Sequence, residues 1–176
     1  PALWEAGPDG FGREPFLRAL LVELARAVEH AGGPAMAEEL IAQVGATVGA
    51  QMEREFRRAR DVVGRLSPRR VAECYVRLKA AIGGDFYPIE VSDARIVLGN
   101  RRCPFGEAVR EAPGLCRMTS SVFGGIAARN NGAAVVQLDE RIAVGDPECR
   151  VTIWLGPEAD RPTGHGHRYV DQGPVD

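Results

Sequence analysis

A chain of 176 residues is long enough for one domain with a sizeable core. Its 45% apolar and 26% charged residues exclude a disordered or fibrous protein. A net charge of −2 gives no general attraction to nucleic acid or anionic membrane, and no apolar run approaches the roughly 20 residues of a membrane span.

Lys79 is the single lysine among the 22 basic residues, which we read as the mark of GC-rich codon usage. Pro1 to Glu14 has no charged start followed by an apolar run, so no signal peptide is expected, and the opening on Pro1 points to a longer parent. The reducing cytoplasm is then the expected compartment. There, four cysteines in a chain of this length serve metal binding or redox sensing more often than a disulfide scaffold.

Gly and Pro collect in the two ends, so residues 1–13 and 157–176 are expected to be mobile tails around a single domain, 14–156. Its helical half, 14–83, opens with Leu17, Leu20, Leu21, Leu24 and Val28 at helical spacing. Gly32, Gly33 and Pro34 stop that helix, and Leu40, Ile41, Val44, Val48, Met52 and Phe56 carry the pattern through a second one. Gly45 and Gly49 allow a close helix contact. Ser67-Pro68 opens a third helix with Val71, Cys74, Tyr75, Leu78 and Ile82 inside.

The sheet half, 84–156, begins with a hairpin of Tyr87–Val91 and Arg95–Gly99 turned at Ser92-Asp93. A helix over Thr119–Arg129, capped by Thr119 or Ser120, ends at Asn131-Gly132. Strands through Ala134–Leu138 and Val151–Leu155 follow. The sequence therefore predicts an α+β fold: N-terminal helices packed on a mainly antiparallel sheet of about four strands with one inserted helix.

Cys103 follows the second strand, Cys116 precedes the inserted helix and Cys149 begins the last strand. A right-handed crossover would bring all three thiols to one sheet edge. Soft thiolates there suit zinc or an iron–sulfur cluster, and a helix N-terminus beside Cys116 favours its thiolate. Small core residues, or a redox disulfide between two of the three, are the alternatives. Three protein ligands leave a fourth position. Asp139, Glu140 and Asp146 are its oxygen candidates, although each also reads as a turn or surface acid. Cys74 on the third helix reads as a core residue first and a ligand second. His165 and His167, in the expected C-terminal tail, are further candidates for that position, although histidines in such a tail more often bind nothing.

Neither a dinucleotide nor a phosphate-loop fingerprint is present, and there is no nucleophile elbow. The basic run from Arg54 to Arg60, with Glu53 and Glu55 mixed in, reads as a solvated helix face, so no direct nucleic-acid binding is expected.

The stretches Asn100–Gly106, Leu115–Thr119 and Ala143–Val151, each holding one of the three cysteines, resemble the methanogen output domain family, a relative of the four-vinyl-reductase domains. The resemblance spans about residues 14–156. It implies an α+β domain of signalling proteins, often joined to sensor or DNA-binding modules. The vinyl-reductase-type relatives hold small molecules and commonly bind zinc through Cys and a carboxylate. They place a Glu and an additional Cys shortly before the last Cys. The matching positions here are about Leu138 and Arg141, so Cys103 is left to replace the missing thiol.

The expected protein is a cytoplasmic sensory or regulatory domain. Its metal site, at Cys103, Cys116 and Cys149, would hold zinc and relay ligand or redox state to a partner or fused module. The alternative is an iron–sulfur enzyme or electron carrier that uses the open position. A homodimer through the N-terminal helices is also expected, because one sheet face cannot cover all their apolar surface.

Overall fold

The computed structural model describes residues 12–156, 166–171 and 173. Helix α1 covers Arg13–Ala59 and is broken once, at Gly33, whose φ of 80° and ψ of 170° leave the helical region. Glycine takes that φ without a Cβ penalty, and Pro34 disfavours a helical residue before it. Helix α2, Pro68–Ala81, has the expected start: Ser67 accepts a hydrogen bond from the Arg70 amide at 3.4 Å, and Pro68 stands in the first turn.

Strands β1 (Phe86–Val91) and β2 (Arg95–Asn100) form the hairpin, closed by Ser92 bonding both the amide and the carbonyl of Arg95. A bulge between Pro88 and Glu90 shifts the register of β1. Helix α3, Cys116–Asn131, starts three residues before the sequence places it, because a 3-10 turn over Pro113–Leu115 winds straight into it. Thr119 and Ser120 therefore lie inside the helix and cap nothing. Gly132, at φ 84°, ends it, its amide donating a hydrogen bond to the Ala128 carbonyl at 2.7 Å.

Strands β3 (Ala133–Glu140) and β4 (Cys149–Leu155) complete the expected four, and a fifth, β5 (Gly166–Val170), lies in the stretch expected to be a mobile tail. The order is β1-β2-β4-β3-β5 with every neighbouring pair antiparallel. Both β2 and β3 oppose β4, so they run the same way on either side of it. The main core lies between this sheet and α2 with α3, built from Val71, Tyr75, Phe123, Ile126, Val136 and Ile153 among others.

The first helix reaches the main core only through Phe56. It lies over α3, where Gly45 and Gly49 let the backbones close: a Cβ on Gly45 would stand 3.0 Å from the Met118 carbonyl oxygen, and one on Gly49 3.1 Å from Val122 Cα. Ser121 Oγ donates to the Ala42 carbonyl at 2.6 Å across the same contact. This places only Val22, Ala25, Ala37, Ile41, Ala50 and Phe56 of its apolar side chains inside. The predicted stripe of Leu17, Leu20, Leu21 and Leu24 stays exposed, as do Leu40, Val44 and Val48, and Ile82 at the end of α2 is also outside.

Glu53, read from sequence as part of a solvated face, is only 3% exposed. Its carboxylate accepts from Arg57 Nε and Nη2 at 3.0 and 2.8 Å, from Asn130 Nδ2 at 2.8 Å and from Arg129 Nε at 2.6 Å. Asn130 Oδ1 in turn accepts from the Leu66 amide and from Arg57. Buried charge is tolerated here because both carboxylate oxygens have donors, two of the three donor residues being cationic. Among the described residues no helix is long and apolar enough to cross a membrane.

Candidate functional site

At the end of the sheet where β2 stops and β4 begins, Asn100 pairs with Cys149. Cys103 lies three residues beyond β2, and Cys116 opens α3. The three cysteines line one cavity of about 30 Å³, shared with Phe86, Asn100, Thr119 and Glu140. Their other sides pack against a cluster that contains Val22, Ala25 and Ile41 of α1, together with Phe105, Leu115 and Ile142.

Each thiol has its own environment. Cys149 Sγ accepts from the Ile142 amide at 3.4 Å and from Asn100 Nδ2 at 3.7 Å. Asn100 is held for this role, because its Oδ1 accepts from the amides of Asp85 and Arg102. Burial pushes the Cys116 thiol up to about 11, and Cys103 and Cys149 nearby push the same way. The Arg141 and Lys79 charges oppose this rise without cancelling it. Burial raises Cys103 as well, opposed by the Phe105 amide and the Lys79 charge.

Lys79 sits behind these cysteines and is 4% exposed. Its ammonium donates to Thr119 Oγ1 at 2.8 Å and lies 5.5 and 5.3 Å from the ring centroids of Phe86 and Phe123. Burial lowers it to about 8, while the three cysteines pull it back up. Lys79, Asn100 and Thr119 are the members of this neighbourhood that sequence reasoning did not assign. The signal for Lys79 was present, since it is the chain's one lysine, but codon usage accounted for it equally well.

The proposed fourth ligands part company. Glu140 lines the cavity, as do Leu138 and Arg141, the positions at which the family resemblance implies further ligands. Asp139 is instead bound by Thr152 Oγ1 at 2.6 Å, and Asp146 accepts the Arg141 amide at 2.7 Å to close a turn. Cys74 is fully buried in the main core, where burial pushes its thiol up to about 12. His167 is in β5 and contacts Ser120 at 3.2 Å, and His165 lies outside the described residues. Among the described residues, no three His, Cys, Asp or Glu side chains are gathered closely enough to hold a metal ion.

No curated protein sequence matches the chain. Among solved structures, it resembles the phenol-responsive sensory domain of the transcription activator PoxR, crystallised with phenol. That likeness has a TM-score of 0.64 at 16% identity and covers 78% of this chain and 74% of that one. A trafficking protein particle complex subunit 3 from Naegleria fowleri, covalently bound to palmitic acid, matches at a TM-score of 0.51 and 13% identity, over 80% of this chain and 95% of that one. At these identities the likeness is one of fold. The model of methanogen output domain 1 matches residues 20–154, which span all three cysteine stretches, and the chain belongs to that family.

Proposed function

We propose that the chain is a sensory domain whose cavity at Cys103, Cys116 and Cys149 takes a soft metal ion, zinc first, and passes the state of that site to α1. The observation that carries this reading is the shared wall: three thiols from three separate segments line one cavity and lean on the buried side of α1. The fit is one of donor chemistry. Thiolates are soft ligands, Cys149 is already supplied with two donors, and Lys79 sets a positive charge behind the group. A volume of about 30 Å³ suits a single ion better than an iron–sulfur cluster or an organic effector. Ligation would also require the short connections carrying Cys103 and Cys116 to close inward, the kind of local rearrangement that a switch uses.

The bound ion would supply charge and a tie between three segments. The chain itself supplies the relay. Val22, Ala25 and Ile41 belong to the cluster against which the three cysteines pack, while nine large apolar side chains of α1, from Phe16 to Val48, remain 37–64% exposed. These add up to apolar side-chain surface on the order of 800 Å², close to one partner's share of a standard interface. A second copy of the chain is the occupant that this surface suits, so closure at the cysteines would be felt at a dimer interface through one helix. The phenol-responsive neighbour, a domain of a transcription activator, supports the regulatory sense of this reading. The membership in an output-domain family supports it as well.

Elemental analysis of protein purified without oxygen tests the site. Cys103→Ser, Cys116→Ser and Cys149→Ser should each lose the metal and Cys74→Ser should keep it. Unchanged metal content in any two of the first three would end the proposal. A colourless protein supports zinc, whereas visible absorption would move the reading to an iron–sulfur protein.

A further inference from the structure

A groove of about 790 Å³ runs between α1 and the side of α3 that meets β5, apart from the cysteine cavity. Its floor is made of small residues, Ala42, Ala46 and Ala50 of α1 and Gly125 of α3. Four guanidinium groups line it, from Arg54, Arg117, Arg129 and Arg168, against the two carboxylates of Glu38 and Glu39.

At one end a chain of hydrogen bonds leads from Arg117 to His167. A guanidinium can only donate, so Arg117 gives a proton to Tyr169 Oη. Tyr169 Oη lies 2.9 Å from Ser120 Oγ, and Ser120 Oγ lies 3.2 Å from His167 Nδ1. Arg117 also donates to Ser120 Oγ at 3.4 Å, and the arrangement in which the tyrosine proton goes to Ser120 and the serine proton to His167 Nδ1 gives every member of this hydrogen-bond chain a partner. In that arrangement the imidazole carries its hydrogen on Nε2, which gives the groove wall an N–H donor beside the Arg117 charge. Burial, and then the Arg117 charge, hold the ring below the usual histidine range and so keep it neutral. Three turns of α3 away, Arg129 Nη2 is buried with no hydrogen-bond partner among the described residues.

We infer that this groove binds an organic carboxylate with a slender apolar chain: His167 Nε2 and Arg117 receive the carboxylate, and the chain lies along the alanine floor toward Arg129. The donors match a carboxylate's two oxygens, and charge-assisted bonds of this kind are the strong ones. Bulky groups are absent from the floor, which favours a narrow tail over a large ring system. This site is independent of the metal reading, since none of its groups lines the cysteine cavity.

The test is calorimetric titration of the full chain with octanoate, with octanol and inorganic phosphate as controls. Octanoate should bind at one site below about 1 mM, and the two controls should not bind in that range. Arg117→Met should weaken octanoate at least about tenfold. Ala46→Trp should abolish binding; Ala46 is exposed on α1, so the substitution fills the groove without touching the core. Absence of octanoate binding would overturn the inference, as would equal binding of octanol or phosphate. Affinity unchanged by both substitutions would do the same.

Discussion

Replacing Glu53 by Gln keeps the shape of the side chain and removes one charge from the point where α1, the start of α2 and α3 are joined. The native carboxylate takes four donors, from Arg57, Arg129 and Asn130. An amide offers one acceptor oxygen in their place and turns its NH₂ toward a guanidinium. Removing one partner of a buried ion pair costs about 3–5 kcal/mol. The side chains of Arg57 and Arg129 are 25% and 24% exposed, so water recovers part of that loss. We therefore expect about 2–3 kcal/mol of destabilisation for Glu53→Gln. In urea, with a slope of about 2 kcal/mol per molar, the unfolding midpoint should fall by about 1 M while the slope is kept. A fall of less than about 0.3 M would mean that the network is solvated and that α1 is held by packing alone.

Leu20→Glu with Leu24→Glu should convert a dimer to a monomer with little loss of monomer stability, and light scattering at high micromolar concentration reads it; a wild-type monomer there would remove the dimer. Lys79→Met should stabilise the chelated protein below pH 8. Lys79 falls from 10.5 to about 8 on folding, so its cost, on the order of 3 kcal/mol at 1.36 kcal/mol per unit, is relieved as pH rises from 8 toward 10.5. The advantage of the variant should shrink across that window, and a constant difference would refute the assignment. The folded state lowers His167, so the stability it contributes is lost as pH falls through the unfolded value of 6.5. Amide exchange of Ala133–Gln137, the partners of β5, should quicken there before the rest of the sheet. Chelation should speed exchange in residues 100–118 and 139–150 and leave the main core protected; global loss of protection would make the cysteine site structural.

Local chemistry made the element ends readable. Ser67-Pro68, Ser92 and Gly132 act within a few residues of themselves, and each stands where the sequence places it. The meeting of the three cysteine segments followed from chain direction, because a helix between two strands that run alike returns the chain to the same sheet end. Other features depend on distant partners. A leucine stripe records that a face is apolar, not whether this chain or another covers it, so the exposure of Leu17–Leu24 was invisible. Strand β5 exists through its register with β3 and through Tyr169, whose ring lies where a Cβ on Gly124 would be; a short polar alternation among glycines carries no such signal. Lys79 was missed because burial of a single amine is decided by its packing against Phe86 and by Phe123 and Thr119, which lie 40 or more residues away.

The bulged start of β1 has a consequence for how copies of the chain can meet. Strand β1 is an outer strand, and Pro88 in it has no amide to offer a further strand, while the adjacent bulge bends the ladder. Glu90, paired with Arg95 at 2.8 Å, adds charge to the same border. Growth of the sheet by stacking one protein's border on another's, the first step toward insoluble fibres, is blocked on that side. On the β1 side, contact between copies is thus steered away from strands, where pairing propagates.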